Sequence, residues 1–423
     1  RCLAGLGSSR NVPNIAQRYA VAASFRIGGL PEAEKVLAVA ADQAVSEEIR
    51  VEAMDALMAW KNPSDIDRLS GQYRPVEKRP PLDFTEHLSQ CLQELFSGTE
   101  KVKIKAAGLV TFFEVEAAVD LLWTRVNDVE EEPGARAASL KALFGLHDPT
   151  LKDCVGALVR DGNAAVRKVA RTILATIDPA EAVAEAEYVL QGDSTDEQQQ
   201  VIEMLCQLSS TKADSVLLKA LRLQLTADAH SPITLDLLEA AKRRGVKSLA
   251  DAAGEIENKR NPEDPLGNYR ECLSGGNVEY GEKVFFKNKK VTCVRCHMVN
   301  ERGGSVGPNL SKVGREKTAE YLLESIVLPS AKISPGYSTV QFLMATGRVQ
   351  SGVIKKEEAD HFVIQNADGD LLTLHKDDVD EMQAGLSGMP ADLVKQLSKR
   401  EVRDLVAYLS SLVEEKKRSA HFE

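Results

Sequence analysis

Residues 13–245 carry an internal repeat, and a repeat restricts a fold more than any single motif, because each copy must pack against the next. Arg18 in Gln17–Ala23, Arg50 in Ile49–Met54, Lys103 in Val102–Ala107, Arg136 in Ala135–Leu140, Arg167 in Val166–Arg171 and Gln199 in Gln198–Glu203 occupy equivalent positions. Their successive spacings are 32, 53, 33, 31 and 32 residues, and a weaker copy follows at Ile233–Leu238. The one long gap holds the proline-rich stretch Arg74–Pro81, which reads as an inserted loop. Each unit has the pattern of two amphipathic helices, with small alanines that let neighbours approach closely. The apolar stripe of such a unit is buried only when units stack.

A polar or charged residue one step after an apolar one opens the second helix of each unit. In this the segment resembles HEAT-type repeats. The resemblance implies an α-solenoid, placed here at residues 1–254, that acts as a scaffold or docking surface. It contains no paired carboxylates and no nucleophile–base set with distinctive spacing, and His87, His147 and His230 stand alone. Residues 255–270 are polar with two prolines and read as a linker to a second domain at 271–423. A formal net charge of -10 argues against nucleic acid as a main partner, because phosphate binding needs a concentrated basic surface. No apolar run is long enough to span a membrane. Of the seven cysteines only Cys293 and Cys296 are close together; Cys2, Cys91, Cys154, Cys206 and Cys272 are expected as buried free thiols.

Cys293-Val294-Arg295-Cys296-His297 fits C-x-x-C-H, which reads as a c-type haem attachment site. Two thiols must add across the two vinyl groups of one porphyrin edge, and one turn of chain sets that reach. The histidine that follows falls under the iron as proximal ligand. A zinc site would want a second ligand pair at similar spacing, and none exists; a redox dithiol would want a strand-to-helix context, which is missing. One covalent haem c is therefore expected, on Cys293, Cys296 and His297. Downstream, Gly307-Pro308-Asn309-Leu310 can offer the Pro308 carbonyl to the far ring nitrogen of His297. Helical periodicity over Asn277–Phe286, and a capping box at Ser398 and Glu401 opening a last amphipathic helix, complete a pattern that looks like a class I cytochrome c.

Met389, in Gly388-Met389-Pro390, is the best candidate for the distal iron ligand, since an irregular segment can present its sulfur. His361 or His375 would give bis-histidine ligation instead, and an open sixth position is the third alternative. Met298 adjoins His297 and cannot reach the opposite face, while Met344 and Met382 read as strand or strand edge. The 92 residues from His297 to Met389 exceed what a compact haem fold needs. The excess reads as a small antiparallel sheet inserted at about 335–384, with strands at 338–344, 348–354, 361–365 and 371–374 and an Asp-Gly turn at 368–369. The expected fold class is thus mainly α: a HEAT-like solenoid, then an all-α cytochrome domain with a β insertion.

The Cys293–His297 motif, Gly307–Leu310, Tyr321–Ile326 with Pro329-Ser330, Thr346-Gly347-Arg348 and Ser387–Pro390 together resemble the class I c-type cytochrome domain of the Pirellula/Verrucomicrobium-type haem-binding family. The resemblance covers roughly residues 268–415. It implies electron transfer, with this chain as the acceptor module of a larger exported, periplasmic dehydrogenase of the quinoprotein sugar or alcohol type. The signal peptide and the catalytic domain are expected upstream of Arg1. The partner is then a redox protein or a fused dehydrogenase domain. A haem-based sensor or binding module, or a peroxidase-like enzyme with an open sixth site, is the alternative. Residues 281–317 hold nine Lys/Arg and three Asp/Glu, whereas 357–381 hold nine Asp/Glu and one Lys, so the domain is expected to be electrically polar.

Overall fold

A computed structural model of the chain describes residues 13–226 and 231–414; Cys2 and His230 lie outside the described residues. The chain is mainly helical with small antiparallel sheets. It divides into two compact units, residues 1–185 and 186–423.

The first unit contains helices α1 (Asn14–Ile27), α2 (Leu30–Ala41), α3 (Glu47–Met58), α4 (Thr85–Ser89), α5 (Leu92–Leu95), α6 (Glu100–Phe112), α7 (Val119–Asn127), α8 (Pro133–Gly145), α9 (Leu151–Leu158) and α10 (Ala164–Ile177). α1, α3, α6, α8 and α10 each pack on the next, forming one layer; α2, α7 and α9 pack across them. The repeated basic position falls in the first layer every time, from Arg18 in α1 to Arg167 in α10. At two of these positions the arginine is buried and not solvated. Arg50 Nε donates to the Ala40 carbonyl at 2.8 Å, and Arg136 Nε donates to the Val126 carbonyl at 2.9 Å. Both carbonyls lie in the last turn of a second-layer helix, where intrahelical donors run out. The repeat thus encodes a clip between layers as well as an apolar stripe. The proline-rich loop folds back on the unit, with the Arg79 guanidinium over Trp60 and Phe25 at 5.2 and 5.3 Å.

Helix α11 (Pro179–Val189) runs across the division between the units. The second unit continues with α12 (Thr195–Gln207), α13 (Thr211–Thr226), α14 (Thr234–Arg244), α15 (Lys247–Asn258), α16 (Val278–Lys287), α17 (Cys293–Cys296), α18 (Val313–Glu316), α19 (Ala319–Val327) and α20 (Lys399–Ser411). Within it, contacts link the helices on either side of the linker expected at 255–270. Arg403 on α20 forms a buried ion pair with Asp236 on α14, Nη1 to Oδ2 at 2.6 Å, and Arg400 one turn earlier bonds Glu239. Residues 255–270, expected as a linker, begin inside α15. Leu266 is buried in the same core as α16 and α20, and Arg260 bonds the buried Glu271 carboxylate at 2.8 Å. The thiols are less uniform than expected: Cys272 is buried, Cys91 and Cys206 are half-buried, and Cys154 is exposed.

α16, α19 and α20 enclose the core around Phe285, Leu323, Val402 and Val406. Each starts on a side-chain cap: Asn277 accepts the Tyr280 amide, Thr318 the Tyr321 amide, and Ser398 with Glu401 forms the reciprocal capping box. α16 crosses α20 at Gly281, where a β-carbon would fall on the Asp404 carbonyl and 2.6 Å from Tyr408 Cβ. Backbone meets backbone there, so nothing flexible can yield. Gly281→Ala is expected to destabilise the second unit by about 3 kcal/mol, read as a lower urea midpoint; an unchanged midpoint would show that the helices can slide apart freely.

The inserted sheet has five strands and not four: β3 (Ser338–Met344), β4 (Val349–Glu357), β5 (His361–Gln365), β6 (Leu371–His375) and β7 (Val379–Ser387), in the order β6-β5-β4-β3-β7 and antiparallel throughout. β7 extends the insertion to Ser387, beyond the expected 384. Phe342, Phe362, Ile364 and Leu374 give the sheet a small core of its own. A second departure from an all-α haem half is the two-stranded hairpin β1 (Met298–Val299) and β2 (Arg302–Gly303), which follows His297 directly.

Candidate functional site

The site is built on a single turn. Thr292 takes a left-handed φ of 39°, α17 spans Cys293–Cys296, and the His297 amide closes the turn onto the Cys293 carbonyl at 3.0 Å. Residues three apart share one face of a turn, so both thiols point to one side. Both are free, and Cys293 packs against the edge of the core of α16, α19 and α20. Burial pushes the Cys293 thiol up to about 11, its own backbone amide opposing and Cys296 adding to the shift.

The hairpin β1–β2 turns the chain back against α17. Its tip uses left-handed Asn300 and Glu301, and its exit uses Gly303 and Gly304, whose β-carbons would strike the carbonyls of His297 and Arg295. The Gly304 amide donates to the Val294 carbonyl at 2.9 Å, Gly307 to Cys296 at 2.8 Å and Leu310 to Met298 at 2.8 Å. This ladder brings the Pro308 carbonyl 3.0 Å from His297 Nδ1. A carbonyl can only accept, so Nδ1 carries the proton and Nε2 keeps its lone pair. Burial lowers the imidazole's proton affinity, the Pro308 bond partly opposing, which keeps the ring neutral at pH 7. At Gly307 a β-carbon would stand 2.7 Å from His297 Cε1, so only glycine fits beneath the ring.

Two free thiols on one turn, with a neutral imidazole whose Nε2 has no hydrogen-bond partner among the described residues, are a donor set that fits a covalently bound haem iron. The half-buried Met389 follows β7. Its amide donates to Ser387 Oγ at 3.2 Å, and the Ser387 amide donates to Ser330 Oγ at 3.1 Å. The segment carrying Met389 is thereby anchored to the exit of α19. His361 and His375 face each other across β5 and β6 with ring centroids 6.2 Å apart, and His361 Nδ1 bonds Asp360 at 2.8 Å.

The charge segregation is partly neutralised within the unit. Arg295, between the two cysteines, bonds Asp368 in the β5–β6 turn at 2.7 Å. Arg302 spreads over the Phe286 ring at 4.2 Å. Three further residues brace the loop: Asn300, Asn309 and the buried Ser311. For Asn309 and Ser311 the sequence signal is the Asn309-x-Ser311 spacing of a side-chain-closed turn.

Residues 278–413 match the family model for cytochrome c. That match supports a c-type cytochrome domain here, with haem binding and haem-based electron transfer as its general activity. No curated protein matches the chain. Among solved structures, the complex of CpcE and CpcF of phycocyanin lyase from Nostoc sp. PCC7120 is similar at 14% identity and a TM-score of 0.31, covering 60% of this chain and 92% of that one. Human deoxyhypusine hydroxylase in complex with glycerol is similar at 12% identity and a TM-score of 0.26, covering 64% and 92%. Likenesses this low carry no argument about fold or function. Among the described residues no helix is long and apolar enough to cross a membrane.

Proposed function

We propose that the chain is the electron-accepting module of a larger exported dehydrogenase, with one haem c held covalently by Cys293 and Cys296. His297 Nε2 and Met389 Sγ would hold its iron. The observation that carries this reading is the His297 ring, fixed by Pro308 beside two free thiols on one turn. The bound haem supplies a one-electron ferric–ferrous couple. The chain does the rest. Pro308 takes the Nδ1 proton's hydrogen bond and strengthens Nε2 as a donor. Gly307 leaves room for the ring. The core of α16, α19 and α20 excludes water from one side of the site, which favours the ferrous state of lower net charge.

The helical layers, read as HEAT-like repeats, would serve as scaffold between this module and an upstream catalytic domain. The donor is that domain or a separate redox protein, and attachment of haem through thioethers accords with a periplasmic location. The half-buried Met389 segment, anchored to Ser330, supports Met389 as a fixed ligand candidate ahead of an open sensor or peroxidase-like site.

The test is optical. The oxidised wild-type holoprotein should show the weak long-wavelength band of a sulfur–iron bond, and Met389→Ala should lose it. Persistence of the band in Met389→Ala would remove Met389 from the site. Carbon monoxide binding to the reduced wild type would favour the open-site alternative.

A further inference from the structure

Ser311 is 3% exposed and makes three hydrogen bonds with its hydroxyl and amide. Its hydroxyl donates to Asn309 Oδ1 at 2.7 Å and accepts the Asn300 amide at 2.8 Å. Its own amide donates to the same Asn309 oxygen at 2.9 Å. The relay therefore spans the site. Asn300 stands at the tip of the β1–β2 hairpin, held left-handed at φ 48°, three residues after His297. Asn309 follows Pro308 directly, so its nitrogen lies in the same rigid peptide plane as the Pro308 carbonyl. Fixing the Asn309 side chain fixes that plane, and the plane aims the carbonyl at His297 Nδ1.

We propose that Ser311, acting through Asn309, is the positioning residue that sets the strength of the Pro308–His297 hydrogen bond and hence the reduction potential of the haem. The inference rests on His297 being the proximal ligand. A stronger bond at Nδ1 moves electron density toward Nε2 and stabilises ferric iron, so the potential falls as the bond tightens. Without the Ser311 hydroxyl, its bond from the Asn300 amide is lost and Asn309 Oδ1 loses one of two donors. The peptide plane is released, the bond weakens and the potential rises. A serine that merely satisfied buried polar groups would change stability and leave the potential alone.

The experiment is a spectroelectrochemical titration of the full-length holoprotein, with thermal melts alongside. Ser311→Ala should shift the midpoint potential positive, and Ser311→Thr, which restores a hydroxyl, should return it to the wild-type value. Asn309 is exposed, so Asn309→Ala spares the core and, because it removes both bonds to Ser311, should give a shift of the same sign at least as large. A Ser311→Ala protein that melts lower at an unchanged potential would overturn the inference. If Ser311→Ala yields no holoprotein, Asn309→Ala decides: a positive shift supports the relay and no shift overturns it. A His297→Ala protein with the wild-type spectrum would instead overturn the ligand assignment, and this inference with it.

Discussion

A chain carrying Cys293→Ser and Cys296→Ser together is expected to lose covalent haem completely. Each serine hydroxyl is too weak a nucleophile to add across a vinyl group under conditions where a thiol adds, so neither bond can form. Denaturation followed by acidified-solvent extraction separates the outcomes. Haem should remain with the wild-type polypeptide and leave the double variant entirely. The substitutions remove one sulfur each at half-buried positions, and the backbone turn that carries them is closed by main-chain bonds, so the fold is spared. A far-UV spectrum matching the wild type's checks that. Haem that stayed with the denatured double variant would sink the assignment of this pair.

The second large effect is expected at Arg403→Ala. Arg403 and Asp236 are 5% and 2% exposed, so removing the guanidinium strands a carboxylate away from water. Arg400 Nη2 stands 3.4 Å from the same carboxylate and offsets part of the loss. The net destabilisation is expected at about 3 kcal/mol, the lower end for a broken buried pair. Denaturant unfolding, followed at once by haem absorbance and by helical ellipticity, measures it. Replacing both partners by apolar residues, Asp236→Leu with Arg403→Met, should recover most of the stability, because no charge is then left buried. A loss below about 1 kcal/mol for Arg403→Ala would place this pair among surface bridges.

This ion pair also explains what the sequence hid. Asp236 lies within the weak last copy of the repeat, and Arg403 in the final helix, 167 residues later. Neither position has a local signature of pairing, whereas the change of composition near 255–270 is visible in the sequence, and the contact spans that stretch. Local signals were far more legible. The capping box of Ser398 and Glu401 was written in two residues, and the repeat anchors all fall in helices. Four strands were marked by alternation, but β7 was not. Val379-Asp380-Glu381-Met382-Gln383-Ala384-Gly385 is nearly all exposed, and the ladder to β3 holds it in place of an apolar face. At the site, Gly307-Pro308 pointed toward His297. Ser311 did not, because its part is played through hydrogen bonds to a side chain two residues back and an amide eleven back.

The pairing of Ser338 with Ser387 across β3 and β7 has a consequence for chain entropy. Asn277 and Asp404, which meet where α16 crosses α20, are 127 residues apart in sequence. Every strand contact except β3–β7 is made by neighbours in the chain, so the sheet can assemble as a local unit. Once it has, its two ends are adjacent, and the 48 residues between them no longer lengthen the loop that α16 and α20 must close. By the logarithmic law of loop closure this shortening is worth only about 0.4 kcal/mol. The same law says the insertion costs the haem half that little even when the sheet is unfolded. A cytochrome can therefore carry a whole β module between its first and last helices with almost no thermodynamic penalty.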